Sequence, residues 1–108
     1  MPKPISPRDL SARLSAGDKI YLLDVRQPEE HAHAKINGSA LIPLPELMGR
    51  VGELDEADNS QIVVYCHHGV RSVTGGLILE RAGHKDVLSL AGGIDAWSAE
   101  IDPTVPRY

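Results

Sequence analysis

The sequence predicts an α/β fold with a five-stranded, mainly parallel sheet that carries helices on both faces. Short apolar runs typical of buried strands alternate along the chain with segments whose apolar residues have helical spacing. Parallel strands need a crossover connection, usually a helix, so this alternation favours three layers, α/β/α. The 108 residues (11.7 kDa) are expected to form one domain, residues 1–108, around a single hydrophobic core.

The first half of the chain is predicted to contribute three strands and three helical segments. Ser6 and Pro7 are typical of a helix start, as N-cap and first helical residue, and Gly17 is typical of a helix end. The other elements predicted in this half are a short strand or extended arm at 2–5, a strand at 20–25, one or two helical turns at 29–34, a brief strand at 40–42, a helix at 45–54 and a polar loop at 55–60.

The second half is organised around residues 62–72, Ile-Val-Val-Tyr-Cys-His-His-Gly-Val-Arg-Ser. The first four are apolar or aromatic and three of them are β-branched, which predicts a buried strand. Cys66, the one cysteine of the chain, follows at the end of this strand, and a six-residue turn (66–71) leads into a helix that starts at Ser72 and stops at Gly83. The remaining predicted elements are a strand at 86–90, a tight turn at Gly92 and Gly93, a short helix at 94–99 anchored by Trp97, and an extended tail at 102–108.

The strand, the cysteine turn and the helix start together favour an activated thiolate that binds an anion. Ligands bind at the carboxyl ends of strands in open α/β sheets, and unpaired N–H groups at a helix start favour negative charge. Gly69 permits a turn whose N–H groups converge, and Arg71 adds a cation suited to oxyanions. A lone free cysteine is often a buried structural residue instead. The polar residues His67, His68 and Arg71 that follow Cys66 favour the nucleophile.

Composition bears on the compartment and on the partners. The formal net charge of -4 and the pI near 5.6 give no indication of a nucleic-acid partner. No apolar run approaches the roughly 18 residues of a membrane span, and the start of the chain shows no signal-peptide pattern. A single cysteine excludes an internal disulfide and a resolving cysteine, so persulfide or disulfide chemistry at Cys66 needs another molecule. We therefore expect a cytoplasmic protein with no membrane or nucleic-acid partner, and nothing demands more than a monomer.

Three segments resemble the single-domain rhodaneses, the thiosulfate-type sulfurtransferase family. They are Leu23-Asp24-Val25-Arg26-Gln27-Pro28-Glu29-Glu30, Cys66-His67-His68-Gly69-Val70-Arg71-Ser72 and Leu90-Ala91-Gly92-Gly93-Ile94-Asp95-Ala96-Trp97. Residues 36–39 with Ile42 and Pro43 fit a further stretch of the family, and order and spacing agree over essentially the whole chain. The ending, residues 101–108, is similar to rhodanese domains fused behind ubiquitin-activating-like adenylyltransferases.

The resemblance implies that Cys66 is a sulfur carrier. Its thiolate would attack the outer sulfur of thiosulfate or another donor, become a persulfide and pass the sulfur to a nucleophilic acceptor. Arg71 and the loop N–H groups would bind the donor's anionic group and stabilise the persulfide; those loop residues are His67, His68, Gly69, Val70 and Ser72. No cofactor or metal is implied. The donor stays open between thiosulfate and the persulfide of a cysteine desulfurase, and the acceptor among cyanide, a thiol, thioredoxin and a sulfur-carrier protein.

Further residues near the cysteine are expected to be structural. Arg26 with Glu30 resembles an internal ion pair of the family, and Asp24 is expected to organise a loop through a hydrogen bond rather than to act in acid–base catalysis. The family commonly has Gly-His-Ile where this chain has Ala34-Lys35-Ile36, which would leave Lys35 at the rim of the site. His31 stands where the family usually has an aromatic residue, so we expect it to pack.

Three alternatives stay open. Cysteine phosphatases and arsenate reductases of the same fold usually place five residues between Cys and Arg, whereas this chain has four, and the tighter loop suits a terminal sulfur atom. A metal site at Cys66, His67 and His68, or at His31 and His33, is disfavoured because adjacent loop residues rarely point at one centre and structural zinc prefers spaced ligand pairs. A non-catalytic partner-binding module is disfavoured because inactive members of the family usually lack the cysteine.

Overall fold

A computed structural model of the chain describes residues 1–57 and 60–108 and confirms the five-stranded sheet. The elements in chain order are β1 (Lys3–Ile5), α1 (Pro7–Ser15), β2 (Ile20–Asp24), α2 (Pro28–His33), β3 (Ala40–Leu41), α3 (Leu44–Arg50), a 3₁₀ segment (Val51–Ala57), β4 (Gln61–Tyr65), α4 (Arg71–Arg81), β5 (Leu88–Leu90) and α5 (Gly93–Glu100). Ser6 caps α1 as predicted, since its hydroxyl accepts a hydrogen bond from the amide of Asp9 at 3.1 Å.

The strand order is β1-β5-β4-β2-β3, and the pairings among the described strands are all parallel. Strand β4 is therefore central, between β5 and β2. Asp24 at the end of β2 is in register with Tyr65 at the end of β4. Because parallel strands deliver their carboxyl ends to one edge of the sheet, the residues after Asp24 and those after Tyr65 emerge side by side.

Buried residues cover both faces of the sheet, which confirms the three-layer α/β/α arrangement. The side chains of β4 alternate between the faces, as expected for a strand buried on both sides. One cluster joins the sheet to α1 and α5 and includes Leu10, Leu22, Val63, Tyr65, Leu90, Ile94 and Trp97. The other joins it to α3 and α4 and includes Leu23, Val25, Leu47, Leu54, Ile62, Val64, Cys66 and Leu79. Trp97 is 7% exposed and thus anchors α5 in the first cluster, as predicted.

The segment after β3 departs from the prediction. A helix at 45–54 and a polar loop at 55–60 were expected, whereas α3 ends at Arg50 and a 3₁₀ segment continues to Ala57. Gly49 and Gly52 flank this change, and glycine is a poor α-helix former, whereas short 3₁₀ runs are frequent at helix ends. Leu54 is nevertheless fully buried. Residues 58 and 59 of the expected loop lie outside the described residues.

The tail does not extend away from the molecule. Residues 101–105 form turns, the hydroxyl of Ser98 donates a hydrogen bond to the carbonyl of Val105 at 2.6 Å, and Val105 is buried at 9% exposure. The last residues are thereby returned to the sheet edge at which β2 and β4 end. Over the described ranges, no helix is both long and apolar enough to cross a membrane.

Candidate active site

Cys66 follows the central strand directly, and its sulfur is held by the turn that comes after it. The residue is 1% exposed. The amide of Gly69 donates to Sγ at 3.1 Å, and the amide of Ser72, in the first turn of α4, donates at 3.4 Å. Gly69 has a φ of +96°, which lets the turn bend back over the sulfur. Two backbone donors aimed at one sulfur stabilise negative charge on it, as in a thiolate.

Helix α5 holds the same turn from the opposite side of the backbone. The amide of Ile94 donates to the carbonyl of Cys66 at 2.8 Å, and the amide of Asp95 donates to the carbonyl of His67 at 3.1 Å. Gly93, which starts α5, has a φ of +62°, and a Cβ atom there would lie closer than 3.0 Å to both carbonyl oxygens. Gly93 therefore permits close approach of α5 to the cysteine turn, a role that the sequence did not predict.

Arg71 is bound by a carboxylate. Its Nη1 and Nη2 atoms donate to the two carboxylate oxygens of Glu30 at 2.8 and 3.0 Å. The side chains of Arg71 and Glu30 are 35% and 20% exposed. The hydrogen bonds from Arg71 are the main reason why the pKa of Glu30 is lowered to about 2, and they raise the pKa of Arg71. Glu30 is therefore ionised at neutral pH.

The expected ion pair between Arg26 and Glu30 is wrong, because each residue has another partner. Arg26 donates from Nε to Oδ1 of Asp24 at 2.8 Å and from Nη2 to Oδ2 at 2.7 Å, and both side chains have no exposed surface. Burial lowers the pKa of Arg26, but the hydrogen bonds to Asp24 and Tyr108 outweigh it, so the net shift is upward. The two side chains project inward from the end of β2, whereas Glu30 lies on α2 and faces the cysteine turn.

Asp24 organises the segment between β2 and α2. Its Oδ1 accepts a hydrogen bond from the amide of Arg26 at 3.0 Å, and its Oδ2 lies 2.8 Å from Nδ1 of His31. Arg26 extends this network, since its Nη2 donates to the carbonyl of Ala34. These contacts fix the position of α2 and therefore of Glu30 beside the cysteine turn.

Tyr108 is a site residue that the sequence did not predict. Its hydroxyl accepts from Nη1 of Arg26 at 2.6 Å and donates to Oε2 of Glu30 at 2.7 Å. Its ring stacks on the ring of His67 with centroids 3.9 Å apart and planes at 4°. Burial is the first cause of a pKa of about 12 for Tyr108. The signal in the sequence was weak: an aromatic residue at the end of a tail whose Val105 returns to the core.

Some of the predicted substrate-binding residues face the sulfur with a backbone amide, whereas others have side chains that point elsewhere. The amides of Gly69 and Ser72 face the sulfur, whereas the Ser72 hydroxyl is bonded to that of Ser89 on β5 at 2.7 Å. Val70 projects to solvent with 76% exposure. The rings of His67 and His68 have centroids 3.8 Å apart, and Nε2 of His67 is buried with no hydrogen-bond partner in the described part of the chain.

Metal-ligating atoms come together next to the turn in a set that the sequence did not predict. Ligand atoms of His67, His68 and Asp95 all lie within 4.8 Å of one another, and the set does not include Cys66. Asp95 is already paired, since its two carboxylate oxygens accept from Arg107 at 3.0 and 3.1 Å. A metal ion would have to compete with that ion pair.

Lys35 lies on an open cleft beside α2. With His31, His33 and residues of the tail it lines an open cleft of about 530 Å³, and Cys66 is not among the lining residues. The same cleft includes His33, whose ring contacts the ring of Tyr108 with centroids 5.6 Å apart, so a position of Lys35 at the rim of the site stays a prediction.

Comparisons of the sequence and of the structure with known proteins agree on one family. The family described as "Rhodanese-like domain" matches residues 6–100. A "Sulfurtransferase" of Allochromatium vinosum is 33% identical over 101 residues, which cover 94% of this chain and 92% of that protein. A rhodanese-related protein of Thermoplasma volcanium has a crystal structure that superposes with a TM-score of 0.81 at 30% identity, over 92% of this chain and 93% of that one.

The chain is also similar to part of a larger protein. A "Probable adenylyltransferase/sulfurtransferase MoeZ" of Mycobacterium tuberculosis is 36% identical over 104 residues, which are 96% of this chain. The chain spans only 26% of the length of that relative.

Proposed function

The chain belongs to the rhodanese-like domain family, and from this premise we propose that it is a sulfurtransferase that carries sulfur as a persulfide on Cys66. The observation that supports the proposal most directly is the pair of amides, from Gly69 and Ser72, directed at Sγ at 3.1 and 3.4 Å. They stabilise the thiolate that attacks the sulfur donor.

The reaction has two balanced steps. The Cys66 thiolate attacks the outer sulfur of thiosulfate, the sulfur–sulfur bond of the donor breaks, and its electron pair leaves with sulfite. A nucleophilic acceptor then attacks the terminal sulfur of the persulfide, and the electron pair of that sulfur–sulfur bond returns to Cys66 as thiolate. With cyanide as acceptor the product is thiocyanate. The structure holds one cysteine, so the acceptor must be a second molecule.

The proposal extends to the natural sulfur donor and the natural sulfur acceptor. Thiosulfate and a protein persulfide, such as that of a cysteine desulfurase, are the proposed donors; cyanide, small thiols, thioredoxin and a sulfur-carrier protein are the proposed acceptors. We propose that residues 1–108 act as one domain and as a monomer in a reducing compartment such as the cytoplasm, where thiol acceptors are present.

Phosphatase chemistry is less well supported by the geometry. The loop between Cys66 and Arg71 contains four residues. Cysteine phosphatases of this fold usually have five, and two amides at this shorter turn are already directed at the sulfur itself. A tetrahedral phosphoryl group needs several free donors around its oxygens.

Thiocyanate formation from thiosulfate and cyanide tests the proposal through two variants. Cys66→Ser should abolish the activity because it removes the sulfur that carries the persulfide, and more than trace activity would contradict the mechanism. A thermal unfolding curve close to that of the parent protein would show that this variant keeps its fold.

Arg71→Ala should weaken the binding of thiosulfate by about 1–3 kcal/mol, the range for a hydrogen bond to a charged group. We expect the lower end, because Arg71 is shared with Glu30. Arg50→Ala is the matched control, since Arg50 is paired with Glu46 and Glu53 on α3 and on the 3₁₀ segment after it. An unchanged KM for thiosulfate in Arg71→Ala would count against the assigned role.

A further inference from the structure

We infer that Glu30 determines donor specificity: by binding both terminal nitrogens of Arg71, it neutralises the cation of the cysteine turn and makes the site favour singly charged sulfur donors over the doubly charged thiosulfate. This inference rests on the proposed function and names the class of donor for the same site. The chemical class is that of monoanionic sulfane-sulfur compounds, which includes thiosulfonates and alkyl persulfides.

Glu30 is held in place by more than its contact with Arg71. Oε1 accepts from the amide of Gln27 at 3.0 Å as well as from Arg71, and Oε2 accepts from the hydroxyl of Tyr108 at 2.7 Å. Four donors on one carboxylate make it a fixed, ionised group rather than a mobile side chain. A donor anion therefore meets an Arg71 that already has a bound counter-charge.

Other arginines around the turn do not supply a free positive charge. Arg26 is buried against Asp24. Arg107 is paired with Asp95, next to His67 and His68. In the part of the chain that the structure describes, each of these arginines thus faces a carboxylate, and Tyr108 and the two imidazole rings form an aromatic rim. Thiosulfate carries a second negative charge. This setting attracts that charge weakly, and the Glu30 carboxylate repels it.

Two sulfur donors of similar size that differ in charge but react in the same way can test this inference. Thiosulfate and methanethiosulfonate both present an outer sulfur bonded to a sulfonyl sulfur, but a methyl group in the second replaces an anionic oxygen of the first. Cys66 thiolate attacks the outer sulfur in both cases, and the leaving group is sulfite or methanesulfinate, respectively. The donors therefore differ by one negative charge, while the bond formed and the bond broken are the same.

The experiment measures kcat/KM for persulfide formation with each donor in the parent protein, Glu30→Gln and Glu29→Gln. Glu29→Gln is the matched control, because Glu29 is the exposed neighbour of Glu30 and its substitution removes the same negative charge. The three proteins are assayed with both donors at the same pH and ionic strength. The parent protein should favour methanethiosulfonate. Glu30→Gln should raise kcat/KM for thiosulfate about tenfold, mainly through KM, and change that for methanethiosulfonate much less; Glu29→Gln should change neither.

Tyr108→Phe provides a second variant that keeps the stacked ring and the Glu30 charge but removes the hydroxyl that fixes Glu30. It should shift the donor preference in the same direction by a smaller factor, and it carries the test if Glu30→Gln does not fold. Equal changes for the two donors in these variants, or a parent protein that favours thiosulfate, would overturn the inference while leaving persulfide chemistry intact. If neither donor loads Cys66 in the parent protein or in any of the variants, the proposed function is overturned as well.

Discussion

Replacing Gly93 with alanine should displace the cysteine turn. In the structure this residue has a φ of +62°, and an added Cβ would lie closer than 3.0 Å to the backbone carbonyl oxygens of Cys66 and His67. Those oxygens accept the hydrogen bonds from the amides of Ile94 and Asp95 that attach α5 to the turn. Because the obstructing atoms belong to the backbone, no change of side-chain rotamer relieves the contact.

Two contributions make up the expected loss of stability. A left-handed conformation costs an alanine about 1–2 kcal/mol, and the overpacking of a closely fitted interior costs about 1–3 kcal/mol. Together they predict a decrease of about 2–5 kcal/mol in the free energy of unfolding. Urea unfolding followed through the fluorescence of Trp97, the one tryptophan, measures it.

Gly17→Ala is the control that isolates the backbone contribution. Gly17 has a φ of +82°, and a Cβ there would meet nothing within 4 Å. We expect Gly93→Ala to lose more stability than Gly17→Ala and also to slow persulfide formation at Cys66, whereas Gly17→Ala should leave that rate unchanged. Equal losses of stability in the two variants would refute the argument that α5 positions the turn through close contact.

Two further predictions concern the ion pairs beside the site. Arg26→Met leaves the carboxylate of Asp24 buried without its main partner, so it should reduce the free energy of unfolding by about 3–5 kcal/mol. Arg50→Met removes one member of an exposed ion pair and should cost far less. Similar urea midpoints for the two variants would contradict the prediction. The pKa of Glu30 is lowered from 4.5 to about 2, so its contribution is present above pH 4.5 and lost as the pH falls toward 2. Acid titration of stability should therefore show a smaller loss over this window in Glu30→Gln than in the parent protein.

The order of the elements and the place of Cys66 could be predicted because they depend on local patterns. The β-branched residues 62–64 predict a buried strand, Ser6 and Pro7 predict a helix start, and strands joined by helices predict a parallel sheet. In such a sheet the residue after a central strand lies at the ligand-binding edge. These inferences need no knowledge of side-chain contacts.

The partners of the charged residues could not be predicted in the same way. Arg26, Arg71, Asp24 and Glu30 converge on one region, and the sequence does not tell which carboxylate binds which arginine. The outcome depends on burial: Arg26 points inward from the end of β2 and takes the buried Asp24, which leaves Glu30 to Arg71. Tyr108 was missed for a related reason, since its position depends on how the tail packs after Trp97.

Intact-mass spectrometry of the protein before and after brief exposure to a sulfur donor tests the central claim most directly. We predict a gain of one sulfur atom that cyanide or a thiol removes, and no gain in Cys66→Ser. Methanethiosulfonate and thiosulfate should both load the cysteine, the first more readily. A parent protein that gains no sulfur from either donor, or a gain that persists in Cys66→Ser, would contradict the assignment of Cys66 as the sulfur carrier.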